Sequence, residues 1–104
     1  MSAYVVMVRE RVTDPAELKT YGEMAPLARE GIDIAPLAFY GELDVLEGPM
    51  LEGVVIHRFP TMEEARRWYH SPAYQAARSH RQRGANYRVF IVEGVAPAPA
   101  SAQM

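Results

Sequence analysis

The sequence predicts an α+β domain: six segments in the order strand, helix, strand, strand, helix, strand, built on one antiparallel sheet. Three observations carry that expectation. Runs rich in β-branched and aromatic residues at 3–12, 52–59 and 86–94 read as strands. Two intervening stretches open on capping signals and continue with helical spacing. At 104 residues the chain is long enough for one core, and with no cysteine it has no disulfide to hold a smaller one.

The first strand, AYVVMVRERV (3–12), does not alternate: Tyr4, Val6 and Val8 point one way, Val5 and Met7 the other. An antiparallel strand with one wet face would alternate, so both faces are expected to be covered. In TDPAELKTYGEMAPLAREG (13–31), Asp14 is an N-cap, Pro15 suits the first helical position, and Glu17 stands where a capping box needs it. Leu18, Tyr21, Ala25 and Ala28 form the apolar stripe. Pro26 is expected to kink this helix near Gly22, and Gly31 to end it.

Residues 36–47 are read as the second strand, bulged or bent at Gly41, with Gly48-Pro49 turning into the third strand, EGVVIHRF (52–59). Thr61 caps a second helix, with Glu64 as its capping-box partner. Ser71-Pro72 interrupts that helix: Pro72 has no amide to donate and disfavours helix at Ser71, so one segment ends near His70 and Ser71 caps another. NYRVFIVEG (86–94) is the last strand. The domain is expected to occupy 1–95, and the Pro/Ala tail 96–104, with no apolar pattern to bury, to be flexible.

This order is the ferredoxin-like split βαβ arrangement, which carries its helices on one face of the sheet. The other face is too apolar for water, and burying it against the same face of a second copy predicts a homodimer.

Net charge is −2, unevenly spread. Residues 1–64 hold twelve acids and five bases (5 − 12 = −7), and residues 65–104 hold six arginines and one acid (6 − 1 = +5). The arginines lie along one helix and can pair with acids of the first half or of a second chain, and the overall balance is not positive, so no nucleic-acid partner is expected. No apolar run approaches the ~18 residues of a membrane span, and no charged-then-apolar leader is present, so no membrane partner is expected and a cytoplasmic protein is.

The least ordinary stretch is RRWYHSPAYQAARSHR (66–81). The helix start at Ser71 offers amide donors and a positive dipole end suited to an anion, or it only lets the chain follow the sheet. From it, Tyr74, Ala77, Arg78 and Arg81 fall on one side, with small Ala77 leaving space between a phenol and a guanidinium. Arg81 could grip a carboxylate bidentately while the ligand lies against Tyr74, or it could pair with an internal acid such as Glu47 or Glu93. His57 shares a strand face with Val55 and Phe59 and so points inward, as a possible catalytic base or as a structural histidine with a depressed pKa. His70 and His80 stand among charges and are expected to be solvated. Tyr21, Trp68 and Tyr69 are core aromatics or the lining of a pocket between sheet and helices. No histidine pair has metal-site spacing, and no phosphate loop or nucleophile elbow is present, so no metal, haem or other cofactor is expected.

The opening strand with TDP at 13–15, LEG at 46–48, FPTMEEARRWYHSPAYQAARSHR at 59–81 and FIVEG at 90–94 together resemble the domain of unknown function 1330 family, over about residues 3–95. That resemblance implies the dimeric α/β-barrel group, in which two ferredoxin-like subunits pack their sheets into one barrel. The group includes cofactor-independent monooxygenases, muconolactone isomerases, chlorite dismutases and haem-degrading enzymes. Two functions follow as expectations. One is binding or transforming a small organic acid, with Tyr21, Tyr69, Ser71, Tyr74 and Arg81 as binding residues and His57 as base; the other is a non-catalytic dimer that senses a metabolite or docks a protein.

Overall fold

The computed structural model describes residues 1–96. Strand β1 (Ala3–Val12) leads to helix α1 (Pro15–Met24), a 3-10 helix (Ala25–Arg29), β2 (Ala35–Phe39), β3 (Gly53–Phe59), α2 (Met62–His70), α3 (Pro72–Gly84) and β4 (Ala85–Glu93). The strands form one antiparallel sheet in the order β2-β3-β1-β4, the ferredoxin-like arrangement. The sheet is open, not closed into a barrel, within the single chain. Residues 97–104, nearly all of the expected flexible tail, lie outside the described residues. Among the described residues no helix is long and apolar enough to cross a membrane.

Local chemistry explains most of the boundaries. Asp14 Oδ1 accepts from the Ala16 amide at 3.1 Å, Thr61 Oγ1 from the Glu64 amide at 3.1 Å, and Ser71 Oγ from the Tyr74 amide at 3.2 Å, so each cap is made where the sequence placed it. Pro26 does not kink α1 near Gly22: α1 runs two residues further, to Met24, and the chain tightens at Ala25 into the 3-10 helix, where a proline near the start loses no needed donor.

Several expectations need correction, the Thr61–Glu64 capping box among them, because the Glu64 carboxylate pairs with Arg67. Glu17 does not close a capping box; its Oε2 sits 2.7 Å from His80 Nδ1 and 3.4 Å from Arg83 Nε. His80 is therefore partly buried as a clamp between α1 and α3 rather than free in solvent, and the hydrogen bond from His80 is the main cause holding the Glu17 carboxyl below its ordinary pKa. The second strand is also much shorter than 36–47. The ladder shifts between Pro36 and Ala38, and at Tyr40 the backbone turns into the left-handed region (φ 53°), after which residues 41–52 form no regular structure. The irregularity lies at the proline of an edge strand, where a missing donor is tolerated, and not at Gly41. Gly48 does turn, at φ 94°.

The core lies between the sheet and the helices. Ala3, Val5 and Met7 of β1 and Val55, His57 and Phe59 of β3 are buried there against Trp68 and Tyr74, whose rings stack 4.2 Å apart. On the opposite face Tyr4, Val6 and Val8 are only half-buried, and Phe90 and Val92 of β4 remain 45 % and 48 % exposed. One chain thus covers one face of the doubly apolar first strand and leaves the other apolar face open.

Candidate functional site

The cross-strand pair Met7 and Val55 forms the apolar floor of a cavity of about 140 Å³ under α1 and the 3-10 helix. Strand parity puts polar groups at both ends of that floor. Arg9 lies two residues beyond Met7 on the same face, and His57 two residues beyond Val55 in the other direction, since β3 runs antiparallel. Leu18, Tyr21 and Pro26 roof the space.

At one end stand His57, Arg29 and Trp68. His57 is 3 % exposed, its ring edge-on to Trp68 with centroids 6.2 Å apart. Among the described residues neither His57 Nδ1 nor Trp68 Nε1 has a hydrogen-bond partner, although both are buried. Burial, aided by the nearby Arg29 guanidinium, pushes the His57 pKa down from about 6.5 to about 4, so the ring is neutral at pH 7. Arg29 forms no ion pair among the described residues.

The sign of the resulting pH dependence is fixed. The unfolded chain binds the His57 proton more tightly, so the stability from the neutral buried ring is fully present above about pH 6.5 and lost as pH falls through about 4. The loss amounts to roughly 2–3 kcal/mol. Urea denaturation of wild type and His57→Gln at pH 7 and pH 4 should show the wild type losing more stability by that amount. An NMR titration should find the ring's midpoint near 4; an ordinary midpoint with equal losses in both proteins would refute the placement.

At the other end Arg9 lies over the Tyr40 ring at 4.5 Å, and the Tyr40 and Tyr87 hydroxyls bond to each other. Arg9 Nη2 donates to the Glu52 carbonyl oxygen at 3.2 Å, while its buried Nε has no partner among the described residues. The left-handed backbone at Tyr40 lets its ring lie across Gly53, where an added Cβ would meet the ring at 2.5 Å. In the roof, the Tyr21 hydroxyl bonds the Tyr74 hydroxyl at 2.9 Å. Burial pushes the pKa values of Tyr21, Tyr40 and Tyr74 up, so these phenols stay neutral and can donate. Among the described residues no Asp or Glu lines the cavity, and none form a cluster of three or more His, Cys, Asp or Glu that could hold a metal.

Of the residues singled out in the sequence, Tyr21, His57 and Trp68 line this cavity, and Tyr74 joins it through its bond to Tyr21. Arg81 and Tyr69 border a separate open groove along α3 and β4. Arg81 is 4 % exposed, with its guanidinium 5.2 Å from the Tyr87 ring; it forms no ion pair among the described residues, with Glu47, Glu93 or any other acid. Ser71 spends its hydroxyl on the helix junction, donating to the Trp68 carbonyl at 2.7 Å and accepting from the Tyr74 amide. His70 packs edge-on against Tyr69, away from the cavity lining. Sequence reasoning did not find Arg9, Arg29, Tyr40 or Tyr87. Arg9 alone left a signal, as a charge in register with inward-facing Val5 and Met7.

No curated protein matches the chain. Solved structures do. A protein of unknown function from Rhodopseudomonas palustris is 19 % identical, with TM-score 0.69 over 92 % of this chain and 84 % of that one. A dimeric protein of unknown function and ferredoxin-like fold from Bacteroides fragilis is 10 % identical, with TM-score 0.60 over 89 % and 96 %. SnoaB, a cofactor-independent oxygenase from Streptomyces nogalater, is 9 % identical, with TM-score 0.57 over 94 % and 97 %. At these identities the likeness is one of fold. The sequence signature of the domain of unknown function DUF1330 spans residues 2–95, and the protein belongs to that family.

Proposed function

We propose that this protein is a cytoplasmic homodimer, each subunit of which binds a small organic acid in the cavity between sheet and helices. One observation carries the reading: Arg9 and Arg29, unpaired with any acid among the described residues, and the unpartnered Nδ1 of His57 line a cavity with no carboxylate of its own. A buried donor is costly unless something satisfies it, and two half-buried arginines beside an apolar cavity lack an acid partner among the described residues. A ligand carboxylate would satisfy both, in a water-poor site where charge-assisted hydrogen bonds are strongest. A transformation of the bound acid would fall to His57, whose neutral ring can take a proton, with the neutral phenols as donors to developing negative charge. The fold shared with a cofactor-independent oxygenase accords with chemistry done by side chains. The dimer rests on the open apolar sheet face, and a ferredoxin-like neighbour is itself dimeric.

Thermal unfolding with a panel of small carboxylates tests the reading. A ligand at about one hundred times its Kd adds about 2.7 kcal/mol, which is roughly 10 °C in a domain of this size. At least one acid should give such a shift, and Arg29→Met, at a half-exposed position, should fold normally yet lose it. If no carboxylate stabilises the wild type, the proposal is wrong.

A further inference from the structure

The two polar ends of the cavity differ, and the difference selects a ligand. His57 is paired with Val5, four residues from Arg9 along β1, so the two ends stand about 13–14 Å apart at the backbone. Between them the floor is the apolar pair Met7 and Val55, with aromatic walls from Phe39 and Trp68. A two- or three-carbon acid held at one end would leave the other end and the apolar floor unsatisfied. The space of about 140 Å³ is close to the roughly 150 Å³ that accommodates a single benzene ring, so its apolar part holds one ring and polar substituents must reach the side chains at its two ends.

Resting on the organic-acid reading above, we infer that the cavity is built for a single-ring aromatic acid with a hydroxyl opposite its carboxylate, the chemistry of 4-hydroxybenzoate. The carboxylate belongs at the His57 end, where Arg29 offers a planar guanidinium and the Trp68 and His57 ring nitrogens have no partner among the described residues. The ring lies on Met7 and Val55 against the aromatic walls, where offset and edge contacts favour a flat apolar body. The hydroxyl belongs at the Arg9 end, where the hydroxyl pair of Tyr40 and Tyr87 can open to give and receive a hydrogen bond. Among the described residues Arg9 is the one cation lining that end, and it already lies over the Tyr40 ring and donates to the Glu52 carbonyl oxygen, so a neutral hydroxyl suits it.

Isothermal titration of the full-length protein with benzoate, 4-hydroxybenzoate and succinate tests this assignment. 4-Hydroxybenzoate should bind about tenfold more tightly than benzoate, the worth of one good hydrogen bond. Tyr40→Phe should erase that advantage, so that the two ligands bind within about twofold of each other. Arg29→Met should weaken both ligands at least about tenfold, and if it folds poorly, Arg29→Lys, which keeps charge but not the planar fork, should still weaken them. Equal affinity for benzoate and 4-hydroxybenzoate would overturn the second polar end. Arg29-dependent binding of succinate with neither aromatic acid bound would overturn the aromatic assignment and leave the acid site standing. Binding of none of these, nor of any acid in the thermal panel, would remove both readings.

Discussion

Replacing Gly84 by alanine is expected to lower the melting temperature by roughly 10–20 °C, through a loss at the upper end of the 1–3 kcal/mol range for overpacking. Gly84 ends α3 where that helix touches α1, and a Cβ there would stand 2.8 Å from Cγ and Cδ2 of Leu18 and 2.9 Å from its backbone nitrogen. The Leu18 side chain could rotate aside, but its nitrogen moves only with α1. That helix is tied to the same place, because the Gly84 carbonyl accepts from the Thr13 and Asp14 amides at 2.8 and 2.9 Å. Shifting α1 to admit a methyl group would stretch these bonds and displace Leu18 and Tyr21 from the cavity roof. Gly22→Ala is the internal control: its Cβ would meet nothing within 4 Å, and alanine should gain about 0.5–1 kcal/mol in helix propensity. Thermal melts showing Gly84→Ala within two or three degrees of wild type would mean the helices are not in contact at this point.

Gly84 also shows where sequence reasoning ends. Its small size is required by Leu18, sixty-six positions away (84 − 18), and no local pattern announces that contact. The features that were legible are those whose partners lie within a few residues: the Asp14, Thr61 and Ser71 caps, the break before Pro72, and the inward face of β3 that placed His57. Family and fold could be read for the same reason, since cap, turn and strand signals recur in order along the whole chain. Glu17 satisfied a local rule and was claimed by a distant one, because His80 comes alongside it only when α1 packs on α3. The cavity failed to appear for a related reason. Tyr40 reaches it through a left-handed turn that ends β2 early, and Arg29 through a 3-10 helix whose phase a regular helix does not reproduce. Arg81 shows how far helical spacing reaches. Helical spacing correctly set it on one side of α3 with Tyr74 and Ala77, all three buried, yet spacing could not say that this side borders Tyr87 and an open groove rather than the cavity.

Substituting Val6 by glutamate should turn a dimer into a monomer without unfolding the chain. Val6 lies at the middle of the open sheet face, paired with Ile56 on β3 and with Phe90 on β4, where side chains stand directly across from one another. Above and below it the same face continues as Val8 between Val54 and Arg88 and as Tyr4 between Arg58 and Val92, so an apolar centre is flanked by two arginines. A patch of this kind is the sort that soluble proteins bury in an interface. In a two-fold dimer the substitution acts twice, putting a carboxylate from each subunit into the apolar centre of the contact. Burying these two carboxylates costs a few kcal/mol even where Arg58 and Arg88 partly offset it, and each 1.4 kcal/mol is a tenfold loss, so dissociation should rise by at least about tenfold. Within one subunit the change is mild, because position 6 faces away from the helices and the glutamate can stay hydrated. Light scattering at micromolar concentration should give twice the chain mass for wild type and the single-chain mass for Val6→Glu, with matching circular dichroism spectra. Val5→Glu, one residue away on the buried helix face, should fail to fold, which separates the two faces of the strand. A wild type that is already monomeric at that concentration, or a Val6→Glu variant that keeps its partner, would show that this face is not where two copies meet.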